Sequence, residues 1–115
     1  MNIRIENMKS ARTGEPVKNQ MLVHVTTEEK SFSVFFSYAT KIFTVETDNE
    51  TGESVLTLGE KFNYSVTTAK YSNQALEHVL GVPVNKKVLE KALKSGSTIL
   101  DRSKNPVKIV ATKEF

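Results

Sequence analysis

Apolar side chains recur at every second position through much of the first half of the chain, and at helical spacing through the second half. In Met21–Thr26, Met21, Val23 and Val25 alternate with Leu22, His24 and Thr26. In Phe32–Tyr38, Phe32, Val34, Phe36 and Tyr38 share one face, while Ser33, Phe35 and Ser37 share the thinner one. A period of two is the mark of a half-buried strand, and Thr27-Glu28-Glu29-Lys30 between the two runs is a polar loop of hairpin length. Ile42–Glu46 and Ser54–Leu58 flank Asp48-Asn49-Glu50-Thr51-Gly52-Glu53, whose Asx and Gly residues supply turn chemistry. The pattern predicts a meander of four strands.

The period then changes. Ala69, Leu76, Val79 and Leu80 recur at helical spacing up to Gly81, a residue suited to the left-handed position after a helix. Thr67 can cap this helix, with Val66 and Tyr71 spaced as a hydrophobic staple, and Ser65 is an alternative cap. Pro83 separates it from a second helix, with Asn85 as cap, Val84 and Leu89 as staple, and Val88, Leu89, Ala92 and Leu93 as apolar stripe before Gly96. At 100° per residue, Lys86, Lys87, Lys91 and Lys94 fall in an arc of about 140° opposite that stripe. Ser97–Leu100 and Val107–Thr112, joined through Asp101–Pro106, predict a last hairpin. Residues 7–20 are polar, contain Gly14 and Pro16, and read as a loop or loosely attached arm.

The expected fold is therefore α+β: an antiparallel sheet of about five or six strands, meander plus C-terminal hairpin, packed by two helices. One domain accounts for residues 1–115, the size of an ordinary single core. Within it, residues 1–20 hold an N-terminal strand and polar arm, 21–81 the meander and first helix, and 82–115 the second helix and a basic hairpin.

Charge adds an asymmetry to this picture. The net charge is +3, yet residues 44–63 carry Glu46, Asp48, Glu50, Glu53 and Glu60 against Lys61 alone. Residues 82–115 carry eight bases against Glu90, Asp101 and Glu114. The basic end suits an anionic partner. Lys86, Lys87, Lys91, Lys94, Arg102 and Lys104, with Lys108, are the candidate phosphate contacts. The aromatic half of a nucleic-acid pattern is missing there, since no Phe, Tyr or Trp occurs between Ser72 and Glu114. Phe35, on the thin face of its strand, is the candidate exposed anchor for a base or a protein partner. Phe43 lies on a similarly mixed face, and the pattern does not say whether these two rings are core or interface.

Catalytic chemistry finds little support. Cysteine is absent, removing thiolate zinc sites and thiol nucleophiles. His24 and His78 are the only histidines; no Ser-His-Asp order or HExxH run accompanies them, and structural or surface roles are expected. No phosphate-cradling glycine loop is present. The acidic turn from Asp48 has Gly52 fifth and Gly59 twelfth, where a calcium loop needs a bidentate Glu, so it reads as a hairpin tip. Asn49-Glu50-Thr51 and Asn63-Tyr64-Ser65 match a glycosylation sequon, which carries no weight without a secretory signal. No enzyme, cofactor, metal or membrane span is expected.

Asn19-Gln20, Ser37-Tyr38 with Ile42, and Tyr64-Ser65-Val66-Thr67-Thr68 with Lys70-Tyr71 and Leu76 resemble a group of small proteins encoded by bacteriophages and mobile elements. The resemblance spans roughly residues 12–81. The chain departs from the group by adding residues 82–115, and by having Phe62 and Asn63 where the group often has an aromatic-acidic pair. The resemblance implies a viral accessory protein acting in the host bacterial cytoplasm. Such a protein would bind and inhibit or redirect a host protein or ribonucleoprotein defence complex, as an anti-CRISPR inhibitor does. The alternative expectation is a small basic nucleic-acid-binding protein.

Overall fold

The computed structural model describes residues 1–63 and 65–115, so Tyr64 of the Tyr-Ser-x-Thr-Thr pattern lies outside the described residues. Seven strands form one sheet: β1 (Asn2–Lys9), β2 (Pro16–Thr26), β3 (Lys30–Ser37), β4 (Thr40–Asp48), β5 (Ser54–Gly59), β6 (Thr98–Leu100) and β7 (Pro106–Thr112). A 3-10 turn (Glu60–Asn63) leads from β5 into α1 (Val66–Leu80) and then α2 (Lys86–Ser95). The spatial order is β1-β2-β3-β4-β5-β7-β6. This is an α+β fold, with a sheet both larger than expected and mixed. Neighbours are antiparallel except β5 and β7, which run parallel from Ser54↔Val107 to Gly59↔Thr112. Parallel neighbours need a long crossover, and here both helices and β6 provide it.

Cross-strand register sorts the paired side chains to one of two faces. Leu22 pairs Phe35, Phe35 pairs Phe43, and Phe43 pairs Leu58. These residues, with Val45, Leu56, Val107 and Ile109, are buried on the face that the helices cover. Tyr71, Ala75, Leu76 and Leu80 of α1 and Leu89 and Ala92 of α2 close the core from above. The Phe35 and Phe43 rings stack with centroids 5.5 Å apart. Phe43, whose role the sequence left open, is thus core.

Residues 7–20 are not a loose arm: β1 and β2 take up all but Ser10–Glu15, Met8 is buried, and Gln74 of α1 bridges both the N–H and the C=O of Lys9 at 2.9 and 2.8 Å. Polar residues suffice there because backbone pairing, rather than side-chain burial, holds the strand. Phe35 is not an exposed anchor, being 0% accessible. Its strand buries the thin face because small Ser33 and Ser37 leave room for other groups. Ser37 Oγ meets Thr68 Oγ1 of α1 at 3.3 Å, and Ser33 Oγ meets His24.

Local chemistry fixes the helix ends. Ser65, not Thr67, caps α1, accepting from the Thr68 N–H at 3.1 Å. Val66 is then the first helical residue and stands 88% exposed, so it makes no staple with Tyr71. Gly81 ends α1 with φ 73°, where a Cβ would also meet the Arg102 side chain at 2.7 Å. Asn85 caps α2 through Val88 N–H at 3.0 Å, with Val84 and Leu89 both buried. Tyr38 and Ala39, at φ 51° and 68°, form the two-residue turn between β3 and β4. Paired positive φ values suit the twist of the flanking strands.

Candidate functional site: the uncovered face of the sheet

The helices lie on one side only, so among the described residues no helix or second sheet covers the other side. Register assigns Ile3 and Ile5 of β1, Met21, Val23 and Val25 of β2, and Phe32, Val34 and Phe36 of β3 to this side. None of them belongs to the core cluster or packs against it. Ile3 and Ile5 are more than half exposed, and the other six are half-buried against one another. Eight apolar side chains on three adjacent strands thus form a continuous tract, and contiguous exposed apolar surface of this kind marks an interaction site.

The next strand draws its border. On the same face β4 presents Asp48, Glu46, Thr44 and Lys41 opposite Lys30, Phe32, Val34 and Phe36. Lys30 Nζ reaches Glu46 Oε1 at 3.4 Å, and Lys41 Nζ lies 4.9 Å from the centre of the Phe115 ring. An apolar centre with a charged margin is the anatomy of a protein interface. The sequence held the signal: Phe32, Val34 and Phe36 were visible as one stripe, but alternation cannot say which of two stripes the helices cover.

The candidate basic residues stand on three elements, α2, the β6–β7 turn and β7. Lys86, Lys87, Lys91 and Lys94 are exposed along α2, where Lys86 pairs with Glu90 at 3.8 Å and Lys87, Lys91 and Lys94 flank a shallow hollow together with Glu90 and Ser95. Arg102 and Lys104 stand in the β6–β7 turn, whose Arg102 N–H donates to Leu80 C=O at the end of α1. Lys108 points to the opposite, open side, where it shares a hollow with Lys30, Glu46, Asp48 and Glu53.

The two histidines, by contrast, are brought together on the covered side. His24 Nε2 and His78 Nε2 each lie 2.9 Å from Glu6 Oε1 of β1, and the rings are 6.3 Å apart. His24 Nδ1 lies 2.9 Å from Ser33 Oγ. Burial pushes the Glu6 carboxyl upward, but the His24 hydrogen bond and the charges of His78, His24 and Arg4 outweigh it and hold the group below its usual value. Sequence reasoning missed this cluster because it depends on β1 pairing with β2 and on α1 crossing both.

Comparison with protein-family models, curated proteins and solved structures finds no match to the chain. Among the described residues, no helix is long and apolar enough to cross a membrane.

Proposed function

We propose that the protein is a binding module that docks a partner protein on the uncovered face of its sheet. The observation that carries this reading is the tract of Ile3, Ile5, Val23, Val25, Phe32, Val34 and Phe36, outside the core and bordered by the charged row of β4. Aromatic and aliphatic side chains on a rigid sheet lose little freedom on docking and so suit an interface centre. The partner we propose is a bacterial host protein or the protein surface of a ribonucleoprotein complex, inhibited or redirected by the contact. The resemblance to phage-encoded accessory proteins is the support for that choice.

The test is affinity capture from bacterial lysate, followed by reconstitution of the identified partner with purified wild type and with Val34→Lys. Binding that survives purification and falls at least tenfold in the variant supports the reading. Two results overturn it: binding that Val34→Lys leaves unchanged, and sedimentation showing that the face is occupied by a second copy of the chain.

One observation favours a second reading, nucleic-acid binding through α2: Lys87, Lys91 and Lys94 are exposed around one hollow. Retardation of an oligonucleotide that weakens steeply with salt, and disappears when these lysines become Glu, would support it. Absence of retardation at low salt removes it.

A further inference from the structure

The chain has two histidines, far apart in sequence, and the fold delivers both to the same carboxylate oxygen. We propose that Glu6, His24 and His78 bind a first-row transition-metal ion, with Zn2+ the expected occupant. Three elements contribute one ligand each: β1, β2 and α1. The ligand atoms all lie within 4.8 Å of one another. Tetrahedral zinc, with bonds of about 2.0–2.2 Å, sets neighbouring ligands about 3.3 Å apart. The two nitrogen–oxygen separations, at 2.9 Å, need open only slightly around an ion. The nitrogens have only to approach each other, and His78, 55% exposed on its helix, has the freedom to swing inward.

The surroundings fit an ion as well. A metal-bound imidazole needs its second nitrogen held by a hydrogen-bond partner. Ser33 Oγ stands 2.9 Å from His24 Nδ1 and can accept a hydrogen bond from the Nδ1–H tautomer, which leaves the Nε2 lone pair for the metal. Glu6 Oε1, already 2.9 Å from both imidazole nitrogens, is placed to serve as the carboxylate ligand. Two imidazoles and one carboxylate suit Zn2+, Co2+ or Ni2+ better than Ca2+ or Mg2+, which prefer all-oxygen cages. Three protein ligands leave a fourth position for water or another small ligand. Arg4, two residues before Glu6 and paired with His24, is a nearby cation that opposes an ion.

An ion held here would tie α1 to the edge of the sheet, beside the Gln74–Lys9 bridge. The alternative is an ion pair network with no metal role, and metal binding itself separates the two. The experiment is calorimetric titration of untagged, chelator-treated full-length protein with ZnCl2, together with Co2+ titration followed in the visible spectrum. One ion per chain, with a micromolar or tighter dissociation constant and the bands of tetrahedral Co2+, is expected. His78→Gln and Glu6→Gln should each weaken binding more than tenfold while circular dichroism stays native, and Ser33→Ala should weaken it about tenfold. Arg4→Gln should tighten it. Binding weaker than millimolar in the wild type overturns the proposal, as does binding that is equal in natively folded His78→Gln and Glu6→Gln.

Discussion

Gln20 is the side chain least at ease in its surroundings. It is fully buried on the covered face beside Ser37, yet neither its amide nitrogen nor its oxygen has a hydrogen-bond partner among the described residues. An unpartnered buried polar group costs about 1–3 kcal/mol. Gln20→Met keeps the length of the side chain and removes both polar atoms. It should raise unfolding free energy by about 1 kcal/mol, read as a higher urea midpoint with unchanged slope. A lowered midpoint would show that the amide is satisfied in solution. The polar pattern of residues 7–20 does not flag this position as buried; the extension of β2 back to Pro16 carries it onto the covered face.

Among the elements, α2 depends most on its ends. It has ten residues, of which only Leu89 and Ala92 are buried, while Val88 and Leu93 at the margins of its stripe are 38% exposed. A helix this short does not persist in water on propensity alone. Asn85→Ala removes the bond to Val88 N–H and should cost about 1 kcal/mol, with faster amide exchange confined to α2. The Asn85 cap and both terminal glycines of the helices were legible in the sequence, since each is decided within three or four residues. The choice between Ser65 and Thr67 was not, because both satisfy the local rule. The parallel partnering of β5 with β7 lay further out of reach, for it depends on where α1 and α2 return the chain, and no local pattern encodes that.

At the scale of the whole molecule, the question is which side of the sheet is inside. Alternation showed two stripes on β3, and the thicker one, Phe32, Val34 and Phe36, resembles a core on composition. The structure gives that role to Phe35, since its cross-strand partners Leu22 and Phe43 are themselves large and covered by helices. The number of helices explains the outcome: two short helices cover one face, and the other face keeps its apolar residues for a different use. Phe35 and Phe36 are adjacent in sequence and differ only in the side to which they point, so they test this arrangement directly. Phe35→Ala empties a fully buried site stacked on Phe43 and should cost about 3–5 kcal/mol. Phe36→Ala, on the open face, should cost about 1 kcal/mol or less in the isolated protein. Chemical denaturation of both variants reads the difference. Equal losses would mean that a second layer covers the open face in solution. A larger loss for Phe36→Ala would reverse the assignment of the faces, and the proposed docking surface would fall with it.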